Sequence, residues 1–288
     1  MAKPTATSRL AVTLGIGLLE VNVYPDRESL GRAAAEAVAA QMDALLRTRE
    51  EVRMVFAAAP SQEEFLAALR ARTDLDWARV RAFHMDEYLG LPPDAPQLFG
   101  AFLRERLFGR LPFKAVHYLD PSPHDPLAEC ARYAALLQLA PPDLVCLGIG
   151  ENGHLAFNDP PVADFHDAEL VKVVTLDEAC RRQQVNDGCF QELESVPRRA
   201  VTLTIPALLR GRYLSVVVPG PSKAPAVRAA LYDPISTRCP ATVLRLHERA
   251  VLNLDLASAR LAWGFDLAAG GAGKGSPVRE RRDPKSFS

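Results

Sequence analysis

At 288 residues the chain is long enough to bury the core of one large α/β domain or two small ones without a partner. Its 34 basic and 35 acidic residues leave a formal net charge of -1, which argues against a broad electrostatic footprint for nucleic acid or an acidic membrane surface. Five cysteines (Cys130, Cys146, Cys180, Cys189 and Cys239), odd in number and without C-x-x-C spacing, fit reduced thiols in a cytoplasm better than a disulfide framework or a zinc site.

Residues 1–20 read as an N-terminal extension. The apolar run Leu10 to Leu19 inside it follows Lys3 and Arg9 as a signal peptide would, but it lacks a small-residue cleavage site. It is also shorter than the roughly 20 residues of a membrane-spanning helix. From residue 21 to residue 268 the spacing predicts a helix over Glu28–Leu46, a strand over Val52–Ala58 and a helix over Ser61–Arg72. Further buried strands are predicted at Val80–Met85, Ala115–Leu119, Asp143–Gly150, Leu170–Leu176, Tyr213–Gly220 and Ala250–Asp255. Such alternation predicts one α/β domain: a single doubly wound, mostly parallel sheet with helices on both faces, a Rossmann-like three-layer arrangement. Residues 269–288, glycine-rich and then basic, read as a disordered tail.

In a doubly wound sheet, ligands sit outside the carboxyl ends of the strands, so the polar residues there are the functional candidates. After the first of these strands, Ser61 with Glu64 three residues on predicts a capping box, and the free N–H groups of such a helix start also suit a phosphate. The next strand ends in Asp86 and Glu87; whichever way the pleat runs, one of two adjacent carboxylates faces the crevice, where it could be a general base with the other as an orienting or structural partner. Leu147 to Pro161, LGIGENGHLAFNDPP, then places Gly148, Gly150 and Gly153 where backbone must turn tightly or approach a ligand, with His154 flanked by Asn152 and Asp159. A histidine so placed can take and return a proton near neutral pH, and a carboxylate fixes its tautomer. Lys223 follows Val218-Pro219-Gly220 at a helix start, where a cation calls for an anion, and Arg181 or Arg182 could join it. The six histidines show no metal-binding pair spacing and no G-x-S-x-G occurs, so no metal and no serine triad are expected.

Two of these stretches carry a family resemblance: MDEYLGL at Met85–Leu91 and GIGENGHLAFNDP at Gly148–Pro160. The chain resembles the glucosamine-6-phosphate deaminases, within the wider group that includes 6-phosphogluconolactonases, and Ala156-Phe157-Asn158 follows the deaminase side. The resemblance implies a cytoplasmic sugar-phosphate deaminase/isomerase domain over residues 21–268, with no metal or organic cofactor. The implied reaction opens the ring of glucosamine 6-phosphate, moves a proton from C2 to C1 through an enediol-like species and releases ammonia, leaving fructose 6-phosphate. Residue by residue, Asp86 matches the general base, His154 the ring-opening group, Asp159 its supporting carboxylate and Lys223 the phosphate lysine. Ser61, Gly153 and Arg182 are the further binding candidates, with Arg182 favoured over Arg181.

Three departures stand out. Asn152 replaces the family's aspartate beside the histidine, Asp159 replaces a glutamate, and Ala57 to Ser61 stands where the family has a glycine-containing phosphate loop. Two alternatives stay open: a 6-phosphogluconolactonase-type hydrolase, ranked lower on Ala156-Phe157-Asn158, and, motivated by Asn152 and the altered loop, a sugar-phosphate-binding regulator without turnover. The partner expected is a small sugar phosphate, not nucleic acid or membrane, with homo-oligomerisation left open.

Overall fold

The computed structural model describes residues 12–263. In chain order the elements are β1 (Val12–Ile16), β2 (Leu19–Tyr24), α1 (Arg27–Leu46), β3 (Val52–Phe56), α2 (Glu63–Arg70), β4 (Val80–His84), β5 (Asp86–Leu89) and α3 (Phe99–Leu103). Then come β6 (Ala115–His117), α4 (Pro126–Gln138), β7 (Leu144–Leu147), β8 (Val171–Thr175), α5 (Glu178–Asn186) and β9 (Arg199–Leu203). The chain continues with α6 (Ile205–Leu209), β10 (Tyr213–Val218), α7 (Ala224–Tyr232), β11 (Ala250–Asp255) and α8 (Leu256–Trp263).

Eight strands form the central sheet in the order β1-β2-β11-β10-β7-β3-β4-β6, parallel except for the β1–β2 pair. Successive residues of one strand enter opposite cores: Met54 and Phe56 pack with α1 and α2 on one face, and Val55 with α4 and α7 on the other. This is the expected doubly wound architecture, and it explains why the central strands read as continuous apolar runs. Local chemistry sets the helix starts. Asp26 accepts from the Ser29 N–H at 2.7 Å to open α1, and Asp125 with Pro126 at the first position opens α4.

The structure departs from the sequence reading in three places. Val12–Ile16 pairs with β2 through a turn at Gly17, whose φ is +64°, so part of the expected extension is built into the sheet edge. Leu170–Leu176 contributes β8 not to the parallel sheet but to a separate three-stranded antiparallel sheet, β5-β9-β8. The strand expected over Val80–Met85 ends at His84, and the chain crosses at Met85 from one sheet to the other. The expected domain end at 268 and the tail 269–288 lie outside the described residues. Among the described residues no helix is long and apolar enough to cross a membrane.

Candidate active site

The chain runs from β3 out to β4 and β6, then returns to β7 on the other flank of β3, so the strand order reverses between β3 and β7. At such a switch point the loops leaving adjacent strands diverge and open a crevice. The cleft found there, about 530 Å³ including open solvent, is lined by Ala57–Ala59 after β3 and Gly148–Gly150 after β7. Asp86 reaches it from β5, His154 from the glycine-rich loop, and Lys223 from the turn after β10.

The two adjacent carboxylates have separate tasks. Asp86 lines the cleft, is 6 % exposed, and its carboxylate makes no hydrogen bond among the described residues. Burial, followed by the nearby Glu87, holds its carboxyl well above the usual range. Glu87 points the other way. Its Oε1 accepts from the N–H groups of Tyr88 and Phe99, both at 3.0 Å, and Oε2 accepts from Gly100 at 2.8 Å, which caps α3. Glu87 is therefore an anchor for the wall of the cleft, not a group facing it. His84, fully buried, fixes the same hinge: its ring contacts the Asp86 carbonyl at 2.9 Å through Nδ1 and accepts the Leu119 N–H through Nε2 at 2.9 Å. Accepting at Nε2 makes Nδ1 the donor, so the ring is neutral, and burial lowers its pKa to about 4.

Burial raises Glu87 to about 7, against the lowering effect of its three backbone donors. A carboxyl whose folded pKa lies above its unfolded value contributes stability below the unfolded pKa that is lost as pH rises toward the folded one. Glu87→Gln is expected to remove that slope between pH 4.5 and about 7, worth on the order of 3 kcal/mol across the window. It also sets an amide N–H₂ against backbone donors, costing about 1–3 kcal/mol. Denaturant unfolding of both proteins at several pH values measures this; parallel pH curves would refute the assignment.

His154 sits on a scaffold that only glycine permits, since a Cβ at Gly150 would collide with the imidazole ring. The imidazole Nδ1 lies 2.7 Å from Asn152 Oδ1 and 3.0 Å from Asp159 Oδ1, and Asn152 Nδ2 donates to Asp159 Oδ1 at 3.1 Å. Both atoms facing Nδ1 are acceptors, so Nδ1 carries the hydrogen and Nε2 is left without a protein partner among the described residues. Burial pulls the Asp159 carboxyl upward, but the hydrogen bond and charge of His154, with donors from Asn152 and Asp177, bring it below the ordinary value. Asn152 thus bridges ring and carboxylate. Asn152→Asp is expected to place two carboxylates at about this spacing, forcing one to stay protonated, and to lower kcat about tenfold while moving the acidic limb of its pH profile. A faster enzyme would show that Asn152 is a loss and not a fitted part of the relay.

The Ala156-Phe157-Asn158 turn also has a physical account. Ala156 sits at φ +50°, held because Asn158 Nδ2 donates to the carbonyls of Leu155 at 2.9 Å and Leu203 at 2.8 Å. Phe157 packs between Tyr88 and Phe99, with ring centroids 5.4 Å away in each case.

At the other end of the cleft Lys223 is 4 % exposed, and its ammonium makes no hydrogen bond or ion pair among the described residues. Burial pulls its ammonium below the usual lysine range, partly offset by Asp187 and Glu151. Ser61 lines the cleft but does not cap a helix: Pro60–Gln62 forms a short 3₁₀ turn without a side-chain cap, and Glu64 pairs with Arg27 at 2.5 Å instead of closing a capping box.

Three expected binding roles fall elsewhere. Arg182 is exposed and pairs with Glu178 at 2.5 Å, and Arg181 donates to the carbonyls of Val196 at 3.0 Å and Leu193 at 2.5 Å, so neither lines the cleft. Helical periodicity is the reason. Cys180, Gln183 and Gln184 share one face of α5, and that face turns inward, so glutamines meet the cleft. Gly153 also stands outside the lining: at φ +84° it packs under Cys239, whose Sγ a Cβ would strike at 2.5 Å. The readings from sequence missed Gln62, Gln183 and Gln184; counting turns of α5 from Cys180 would have found the last two.

Ligand-type atoms of His154, Asp159 and Cys180 lie within 4.8 Å of one another. This donor set could hold a soft divalent cation. Two of the three are already engaged with each other: Asp159 Oδ1 meets His154 and Asn152, and its Oδ2 takes the Asp177 N–H at 3.2 Å.

Residues 25–252 match the family described as glucosamine-6-phosphate isomerases/6-phosphogluconolactonase. The chain is 38 % identical over 184 residues to a glucosamine-6-phosphate deaminase of Bacillus cytotoxicus, covering 64 % of this chain and 68 % of that one. It is 34 % identical over 221 residues to one of Bacillus cereus, covering 77 % and 82 %. Its fold is similar to that of a monomeric glucosamine-6-phosphate deaminase, with a TM-score of 0.77 and 29 % identity over 84 % of this chain and 99 % of the other. A 6-phosphogluconolactonase of Thermotoga maritima shares the fold, with a TM-score of 0.65 and 23 % identity over 82 % and 98 %. With a match that spans most of its length and the site motifs set around one cleft, the chain belongs to the glucosamine-6-phosphate isomerase/6-phosphogluconolactonase family.

Proposed function

We propose that this protein is a cytoplasmic glucosamine-6-phosphate deaminase that converts glucosamine 6-phosphate and water to fructose 6-phosphate and ammonia. His154, protonated on Nδ1 and open at Nε2, takes the proton of the anomeric hydroxyl and returns one to the ring oxygen as the C1–O5 bond breaks. The relay to Asn152 and Asp159 holds the ring and stabilises the imidazolium, Asp159 supplying the charge that Asn152 lacks. Asp86 then removes the C2 proton as O1 gains the proton that the substrate's amino group gives up, and delivers the C2 proton to C1, which leaves an imine at C2 that water hydrolyses with loss of ammonia. Lys223 with Ser61 receives the phosphate, and the 57–61 loop serves without glycine because its alanines close the wall and Ser61 supplies the hydroxyl.

The observation that carries the reading is Asp86: a cleft-facing carboxylate with no hydrogen bond and a pKa raised by burial, sharing the cleft with a tautomer-fixed histidine. A binder without turnover has no use for that combination, since an unpartnered buried carboxylate weakens both folding and affinity for an anion. The test incubates the purified protein with glucosamine 6-phosphate, without added metal, and measures ammonia and fructose 6-phosphate. A parallel assay with 6-phosphogluconolactone separates the hydrolase alternative. Lactone hydrolysis without ammonia release, or sugar-phosphate binding with neither, sinks the proposal.

A further inference from the structure

Gln62 is 1 % exposed and lines the cleft, and no role in the chemistry above requires it. Its amide orientation follows from its surroundings: Nε2 donates to the Val217 carbonyl at 3.0 Å and lies 3.3 Å from Ser61 Oγ. A carbonyl accepts only, so the nitrogen must be on that side and the amide oxygen on the other. That oxygen, Oε1, is buried and has no hydrogen-bond partner among the described residues. Buried amide oxygens are almost always satisfied, and leaving one bare costs about 1–3 kcal/mol.

A buried, unpartnered oxygen on a residue that lines the cleft lacks a donor that a ligand would bring. Phosphate oxygens are acceptors, so the charged end of the substrate repels Oε1 and pairs with Lys223 and the Ser61 hydroxyl. In the closed ring that first binds, the donors of an amino-sugar phosphate outside its reacting carbons are the hydroxyls on C3 and C4. We propose that Gln62 is a specificity-determining residue whose Oε1 accepts a hydrogen bond from one of these hydroxyls, which fixes the sugar chain between the phosphate end and Asp86. The inference rests on the amino-sugar-phosphate reading above and names a contact that reading does not need.

The consequence is a measurable coupling between one side-chain oxygen and one substrate hydroxyl. A site built around a buried acceptor discriminates strongly against an analogue that lacks the matching donor, because the acceptor then stays bare. Dissociation constants are measured for glucosamine 6-phosphate and its 3-deoxy and 4-deoxy analogues, on the native protein and on Gln62→Met. In the native protein one deoxy analogue is expected to bind about 10- to 100-fold more weakly than the parent, and in Gln62→Met that ratio collapses to about 1. Met fills a similar volume, but it also releases the Val217 carbonyl; Gln62→Asn, which keeps the amide and withdraws it, serves as the second variant and is expected to weaken the same ratio. A purely structural Gln62 lowers Tm and leaves both ratios unchanged, which overturns the inference. No binding of the parent sugar to the native protein is a different failure, since it removes the amino-sugar reading and the inference with it.

Discussion

Asp86→Asn is expected to lower kcat with glucosamine 6-phosphate by about a thousandfold while changing KM little, the pattern of a lost proton-transfer group. The amide keeps the shape and the burial of the carboxylate but has no basic oxygen to take the C2 proton. Because burial and Glu87 hold the Asp86 carboxyl above the ordinary range, native activity is expected to rise with pH through that elevated pKa. Removing the neighbouring charge in Glu87→Gln takes away one of the two raising causes, so the acidic limb shifts to lower pH. Steady-state kinetics over a pH series checks both statements. Near-native turnover in Asp86→Asn would transfer the base to another group.

Lys223→Met has the opposite signature. The ammonium is the one cationic group lining the cleft among the described residues, so its loss is expected to raise KM about 30- to 1000-fold, equivalent to about 2–4 kcal/mol of a desolvated ion contact. The free protein gains from the same change. A lysine whose folded pKa is depressed by burial binds its proton more weakly in the folded than in the unfolded state, so it lowers stability at every pH below its unfolded value. Tm of the unliganded variant is therefore expected to rise at neutral pH while sugar-phosphate binding collapses. A fall in both would mean that Lys223 supports the fold through contacts of its stem and does not serve the ligand.

The family and the parallel sheet were legible from the chain, and three residues singled out there, Asp86, His154 and Lys223, line one cleft. Central strands such as Val52–Phe56 are buried on both faces, so an unbroken apolar run is the only pattern they can have. Gly148, Gly150 and His154 are fixed by local sterics within seven residues, and a short motif records such a constraint in full. Asp86 and Lys223 stand at element ends, where a polar residue after an apolar run has no packing role to explain it.

What only the tertiary structure decided was direction and company. Adjacent carboxylates are equivalent in sequence, yet the register of β5 against β9 turns Asp86 to the cleft and sends Glu87 to the start of α3. Arg182 and Gln184 differ by two positions on one helix, about 200° of rotation, so which of them meets the ligand depends on how α5 docks. Gln62 was silent for the same reason: the Val217 carbonyl that orients its amide is 155 residues away. Local sterics and burial can be read along the chain because they act between near neighbours. The facing of a side chain depends on partners that only folding brings together.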